Sequence, residues 1–223
     1  MKEDIKSIRE IILAELEAHL GTDVAILTHS HGGLPGLAAI ENLDKKSRIA
    51  AGFQNRVSAL LPMASLLVPA GVSGFDWGGG NIPPSIVVKN VPSPVDGKLE
   101  VEMSTPNPNP VPIELFYHDV PQKEAEHYSS LLIPQVISVF RTPVPFAGWK
   151  IVPIYYLIAE EDKAFSPEVQ RMIIDQANEA RLQVNPDGGK LVVVESVQAS
   201  HSPFLSKLDE TAAWIRRSLG ETV

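Results

Sequence analysis

The 223-residue sequence contains no cysteine, which excludes disulfide bonds, thiolate metal sites and a cysteine nucleophile and fits a reducing compartment. It also has no basic cluster, and its formal net charge of −8 argues against nucleic acid and anionic membranes as partners. No apolar run approaches the roughly 18 residues of a membrane span. The acidic N-terminus is unlike a secretory signal. We therefore expect a cytoplasmic protein.

A chain of this length accommodates one α/β domain with or without a lid. Apolar, strand-like runs alternate with helical periodicity in its first and last parts, which predicts a mostly parallel sheet flanked by helices. Between them, proline and glycine are frequent, and proline lacks the N–H that a central strand needs. We predict a core at residues 1–67 and 150–223, and a loop-and-helix lid at 68–149 with helical pieces at 113–118 and 122–139.

The organising stretch is residues 23–36, where a short apolar run is followed by Ser30 and then by a helical pattern. A serine on a sharp strand-to-helix turn is typical of a nucleophile elbow, normally G-x-S-x-G, although here Thr28 replaces the first glycine. We expect Gly32 to let the turn pack where a β-carbon would clash, and the backbone N–H of His31 to serve an oxyanion. The alternative is an ordinary strand-to-helix turn.

A serine hydroxyl needs a base to take its proton and a third group to orient that base. Two later loops follow predicted strands, where catalytic groups of parallel sheets lie. The first carries three consecutive acids, of which we favour Asp162 over Glu161; Asp76, after an earlier strand, is less favoured. The second carries His201. The sequence therefore predicts a triad of Ser30, Asp162 and His201.

The remaining candidates concern substrate and metal binding. His29 and His31 have metal-like spacing, but alternate residues in an elbow diverge and no third ligand is apparent, so we expect neither a metal nor another cofactor. Aromatic residues in the proline-rich segment argue for packing rather than disorder. We predict that Tyr117, Trp149 and His29 contact the substrate.

Three motifs resemble the α/β-hydrolase superfamily, in its small-molecule esterase and hydroxynitrile-lyase-like branch with relatives in secondary metabolism. The elbow at residues 29–33 matches H-S-x-G-G. The loop at 161–167 resembles E-D-K-x-x-P with one residue more, and residues 201–206 match H-S-P-F-L-S. The run F-Y-x-D-V at residues 116–120 is a further likeness.

The resemblance implies the α/β-hydrolase fold with a helical lid. It implies Ser30 as nucleophile, His201 as general base and acid, Asp162 as orienting carboxylate, and His31 as one oxyanion donor. Members of this superfamily begin with further strands and with a loop that carries the second oxyanion N–H, whereas this sequence starts at the helix that follows them. A nucleophile strand left at an open edge favours pairing with another chain, so we expect a homo-oligomer that covers it.

Together these features predict a serine hydrolase that acts on the ester, thioester or lactone of a small, largely apolar metabolite. Two alternatives remain open from the sequence. In a lyase or cyclase, the same serine and histidine would move protons without forming an acyl-enzyme. In a non-catalytic relative, the pocket would only bind a ligand or support a complex.

Overall fold

A computed structural model of the chain describes residues 1–81, 86–93, 97, 100–106, 112–184 and 191–223. Its strands, in chain order, are β1 (Val24–His29), β2 (Val57–Met63), β3 (Ile86–Pro92), β4 (Glu100–Pro106), β5 (Gln135–Val136), β6 (Tyr155–Ala159) and β7 (Val193–Val197). Four of them form a parallel central sheet in the order β1-β2-β6-β7. The predicted parallel α/β architecture is therefore confirmed.

Helices cover both faces of this sheet. They are α1 (Lys2–Ala18), α2 (Gly33–Ala38), α3 (Lys45–Ala50), α4 (Gly74–Trp77), α5 (Pro112–Phe116), α6 (Gln122–Ser130), α7 (Ser138–Arg141), α8 (Pro167–Val184), α9 (Pro203–Ser206) and α10 (Leu208–Ser218). None of these described helices is long and apolar enough to cross a membrane.

The core divides between the two faces because side chains alternate along a strand. In β6, Tyr156 and Ile158 join a buried cluster with residues of α1, α2 and α8. Leu157 points the other way and joins a second cluster with Trp214 of α10. The central strands β2 and β6 are almost wholly buried, whereas β1, at the edge, is only partly covered. This layering fixes the strand ends from which the functional loops leave.

The segment at 68–149 contains a small antiparallel sheet in the order β3-β4-β5, which corrects the expectation of loops and helices alone. The prolines spare the hairpin interior: Pro92 pairs with Glu100 at one end, and Pro106 pairs with Ile86 at the other. The predicted helix at 122–139 divides into α6, β5 and α7 around Pro134, whose ring and missing N–H oppose a continuous helix. Most of the proline run at 105–110 lies outside the described residues. The division of the chain at 67 and 149 stays a prediction.

The edge position of β1 yields the first prediction. In the described part of the chain β1 pairs only with β2, and Leu27 on it is 48% exposed. If a second copy covers this edge, sedimentation at micromolar concentration gives a dimer or larger species, and Leu27→Lys shifts it towards monomer because a charge on an edge strand opposes pairing. Leu208→Lys, at a residue 64% exposed on α10, is the control and keeps the wild-type state. A strictly monomeric wild-type protein would contradict self-association.

Candidate active site

The loops after β6 and β7 bring a buried carboxylate and an imidazole together. Asp162 is 3% exposed and His201 is 5% exposed, and Oδ2 of the aspartate lies 2.7 Å from Nδ1 of the histidine. The other carboxylate oxygen accepts the backbone N–H groups of Ala164 and Phe165, each at 2.8 Å, and the Gln170 amide donates to Oδ2 at 3.2 Å. Because the carboxylate accepts Nδ1–H, the lone pair of the neutral imidazole lies on Nε2, where a general base needs it.

The two less favoured acids lie elsewhere. Glu161 is exposed on the outside of the same loop, where its carboxylate is 3.9 Å from Nε2 of His118. Asp76 accepts the hydroxyl of Ser73 at the start of α4. Asp162, rather than Glu161 or Asp76, is therefore the acid that the fold brings to His201.

Ser30 occupies a strained turn between β1 and α2. Its φ of +52° lies in the left-handed region that non-glycine residues rarely adopt. The Ser65 hydroxyl donates to the Ser30 carbonyl oxygen at 2.8 Å, and Oγ1 of Thr28 lies 3.3 Å from that hydroxyl. Strand, sharp turn and helix follow one another as expected for an elbow, and hydrogen bonding by Ser65, two residues after β2, holds the turn in place.

The close backbone contact that we predicted at Gly32 lies at Gly33 instead. A β-carbon on Gly32 would meet nothing within 4 Å, so Gly32 does not provide the predicted close approach. A β-carbon on Gly33 would lie 2.5 Å from both the Leu66 carbonyl oxygen and the Ser65 hydroxyl. The close packing falls on Gly33 because α2 begins there and lies directly against Ser65 and Leu66, which follow β2.

Thr28, which replaces the first glycine of the usual motif, is accommodated by a glycine further on. A β-carbon on Gly36 would lie 2.8 Å from the Thr28 methyl group. Thr28 is buried, and its methyl group occupies the space that a larger residue in α2 would fill. The larger strand residue and the smaller helix residue therefore compensate each other.

Ser30 and His201 both line a cavity of about 410 Å³. Its walls come from the core loops and from the antiparallel sheet of the 68–149 segment. The apolar part of the lining combines aliphatic side chains with four aromatic ones: Trp77, Phe116, Phe140 and Phe165. Among the described lining residues there is no Asp, Glu, Lys or Arg. The cavity therefore suits an uncharged, largely apolar molecule.

His29, which we predicted to contact the substrate, contacts the loop of His201 and is not among the described residues that line the cavity. Its Nε2 lies 2.7 Å from the His201 carbonyl oxygen, and the two rings are 4.7 Å apart. Burial, followed by the neighbouring His201, lowers the pKa of His29 to about 4. The neutral ring donates its Nε2–H to the carbonyl, so the residue before Ser30 fastens the elbow to the histidine loop.

His31 does line the cavity, and its ring packs 4.6 Å from that of Phe140. The amide nitrogen of Gln135 lies 3.4 Å from Nδ1 of His31. Burial lowers the pKa of His31 to about 4, so its ring is neutral near pH 7. In the described residues, no group of three His, Asp or Glu side chains could hold a metal ion.

The two aromatic residues proposed as pocket walls lie outside the described lining. Trp149 is buried in the core, where its indole N–H donates to the Val68 carbonyl oxygen at 3.0 Å. Tyr117 packs beside Tyr128, while its neighbour Phe116 faces the cavity. The F-Y-x-D-V motif contains both rings, but the sequence carries no signal for which of the two adjacent rings turns towards the cavity.

Proteins of known family match nearly the whole length of this chain. Residues 3–214 match the model of the Alpha/beta hydrolase family. The chain is 29% identical over 222 residues to the alpha/beta hydrolase nvfD of Aspergillus novofumigatus, which covers 99% of this chain and 79% of the relative. It is 27% identical over 207 residues to the probable hydrolase R7 of a Phoma species, covering 91% and 72%.

Solved structures share the fold at lower identity. Polyneuridine aldehyde esterase superposes with a TM-score of 0.63 at 16% identity, covering 92% of this chain and 76% of the esterase. A pyrethroid hydrolase from Sphingobium faniae JZ-2 superposes with a TM-score of 0.61 at 21% identity, covering 93% and 75%.

The glycine contacts generate a paired prediction. Gly33→Ala forces a β-carbon against backbone, so we expect a loss of about 2 kcal/mol or more in the free energy of unfolding. Gly32→Ala, one position earlier, stays within about 0.5 kcal/mol of wild type because its β-carbon meets nothing. Urea unfolding followed by circular dichroism measures both. Equal losses in the two variants would contradict this assignment of the close contact.

Two half-buried histidines, His29 and His31, predict acid sensitivity. His29 and His31 have a pKa of about 4 in the folded protein, against about 6.5 in the unfolded chain, so the unfolded state binds more protons between these values. Their contribution is complete above pH 6.5 and is lost as the pH falls towards 4. Between pH 7 and pH 5 we expect a loss of roughly 1–2 kcal/mol for each histidine.

Urea unfolding at the two pH values measures this loss. His29→Gln and His31→Gln should each flatten the pH dependence, since each removes one titrating group. His127→Gln, at an exposed position on α6, controls for the removal of a histidine as such. An unchanged pH dependence in both His29→Gln and His31→Gln would show that these rings do not drive the effect.

Proposed function

The chain belongs to the alpha/beta hydrolase family, and from that premise we propose that it is a serine hydrolase using Ser30, His201 and Asp162. The family match confirms the resemblance noted in the sequence. The observation that carries the proposal is the 2.7 Å contact between Asp162 and His201, beside a cavity that both His201 and Ser30 line. A carboxylate that orients a histidine, and a histidine that takes the proton of a serine hydroxyl, are the parts of an acyl-transfer site.

The reaction follows from these roles. Nε2 of His201 takes the proton of the Ser30 hydroxyl as its oxygen attacks the substrate carbonyl carbon. The tetrahedral intermediate collapses, the carbonyl–leaving-group bond breaks, and His201 passes the proton to the departing alcohol or thiol. Water then repeats the attack on the acyl-enzyme with the same base, which releases the acid and restores Ser30. Asp162 stays ionised throughout and stabilises the imidazolium.

The oxyanion that forms in each step needs hydrogen-bond donors. We assign the backbone N–H of His31 as one of them, since it follows the nucleophile at the start of a helical turn. The side chain of His31 remains neutral near pH 7 because burial lowers its pKa to about 4, so no cation is placed beside the developing charge.

The substrate class follows from the cavity. About 410 Å³ suits a small molecule, and the described lining offers aromatic surface without a charged carboxylate, amine or guanidinium. Two of the structurally similar proteins are named as an esterase and a pyrethroid hydrolase, which supports ester chemistry. We propose a neutral ester, thioester or lactone with a largely apolar body.

Acylation tests the function directly. Incubation with p-nitrophenyl acetate or a fluorophosphonate should add one acyl or phosphonyl group to the wild-type protein, detected by intact-mass spectrometry. Ser30→Ala should form no adduct and should lower kcat for the ester by about 10³-fold or more, because the nucleophile is lost. Ser58→Ala, at a half-buried serine of β2 outside the cavity lining, should behave as wild type.

The outcomes separate the alternatives. An adduct that persists in Ser30→Ala would overturn the assignment of the nucleophile. Turnover of a substrate that depends on Ser30 but leaves no adduct would favour lyase or cyclase chemistry. A Ser30→Ala variant with undiminished activity would favour a non-catalytic role for this residue.

A further inference from the structure

One carboxylate of the 68–149 segment binds both sides of the loop that carries His201. Oδ2 of Asp119 accepts the backbone N–H of Ser200 at 2.8 Å and the hydroxyl of Ser206 at 2.6 Å. Ser200 directly precedes His201, and Ser206 ends the short helix α9 that follows it. A further bond runs from the Ser200 hydroxyl to the Phe116 carbonyl oxygen at 2.9 Å. The backbone around the base is therefore fixed from outside the central sheet.

These hydrogen bonds are charge-assisted. Burial opposes ionisation of Asp119, but the hydrogen bonds from Ser200 and Ser206 outweigh it and hold the pKa of this carboxyl below its usual range. The carboxylate is therefore ionised near pH 7, and bonds to an ionised acceptor are stronger than neutral ones.

The second oxygen of the same carboxylate has a different environment. Oδ1 of Asp119 is buried and has no partner among the described residues. A buried oxygen without a donor costs free energy. The two hydrogen bonds that Oδ2 accepts both come from the stretch that carries His201.

Residues 112–119 also contact the loop that carries Asp162. Glu114 lies 3.7 Å from Lys163, and His118 lies 3.9 Å from Glu161, so the residues on both sides of Asp162 face residues 112–119. These pairs are largely exposed and contribute little energy. Residues 112–119 therefore contact the loops of both Asp162 and His201, and Asp119 makes the stronger of these contacts.

We propose that Asp119 is a positioning residue for His201: by holding Ser200 and Ser206, it keeps the imidazole between Asp162 and Ser30. This inference rests on the proposed serine hydrolase function. Misplacing a catalytic group by about 1 Å can cost on the order of 10²-fold in rate. Loss of Asp119 should therefore lower the rate of acylation while leaving the cavity, and hence substrate binding, in place.

Steady-state kinetics with p-nitrophenyl acetate tests the proposal. Asp119→Ala should lower kcat by about 10- to 100-fold with KM within about twofold of wild type. Asp119→Asn keeps an acceptor oxygen at the same position and should recover most of the lost kcat. Asp175→Ala, at an exposed position on α8, is the matched control and should have wild-type kinetics.

A double-mutant cycle separates positioning from a general structural effect. In a His201→Ala background, Asp119→Ala should not reduce the residual rate further, because its effect passes through the missing imidazole. A purely structural role would reduce both backgrounds equally. The downfield proton resonance of the Asp162–His201 hydrogen bond offers a second readout, and it should weaken in Asp119→Ala and persist in Asp119→Asn.

Ser206→Ala keeps the test decisive if Asp119→Ala does not fold. It removes one of the two bonds to Oδ2 and should lower kcat several-fold without raising KM. Wild-type kcat in Ser206→Ala, or in a folded Asp119→Ala, with Ser30→Ala inactive, would overturn the inference while the proposed function stands. If Ser30→Ala is itself fully active, the proposed function is the part that fails.

Discussion

A buried negative charge, the carboxylate of Asp162, is the constraint that arranges the rest of the site. Removing a carboxylate from water is costly unless hydrogen bonds replace its hydration. Here the donors come from three directions: the turn after β6, the side chain of Gln170 in α8, and the ring of His201. Because Gln170 also bonds both backbone groups of Ala159, the start of α8 is tied to the end of β6. Satisfying one charge therefore fixes the strand end, the helix and the imidazole.

The same strand also holds the nucleophile. The phenol of Tyr156 donates to the Ser65 carbonyl oxygen at 2.8 Å and accepts the Ser65 N–H at 2.9 Å. Burial raises the pKa of Tyr156 far above its usual value, so the phenol keeps the proton that the first bond needs. Ser65 in turn donates to the carbonyl of Ser30, whose left-handed φ needs such support. Through Tyr156 and Asp162, β6 positions both ends of the proposed triad.

The sequence predicted the parts whose signals are local. Ser30, Asp162 and His201 each follow an apolar run, so their place at one edge of a parallel sheet could be inferred from order alone. What it could not predict depends on contacts between distant residues. Ser65 and Tyr156 are 91 positions apart and neither has a motif.

The sequence also could not predict which of two neighbouring residues makes a given contact. The close contact falls on Gly33 rather than Gly32 because Leu66 and Ser65 lie there, a fact of tertiary packing. In the same way, Phe116 rather than Tyr117 lines the cavity. The antiparallel sheet at 68–149 was not predicted because prolines are frequent in this segment. Composition does not show that Pro92 and Pro106 pair at the two ends of a hairpin, where they leave its interior free.

The central sheet and the antiparallel sheet contribute different parts of the cavity. Loops at the end of the central sheet carry the proposed acid, base and hydroxyl, whereas the antiparallel sheet supplies walls of the cavity at Ile86, Ser104 and Gln135. Substitutions in those walls would change the shape of the cavity without altering the proposed triad. Phe116 is different, because it lines the cavity and its ring also packs 5.5 Å from that of His201. If His201 is the base, as proposed, the shape of the cavity and the placement of the base depend on one side chain here, and a substitution of Phe116 would change both.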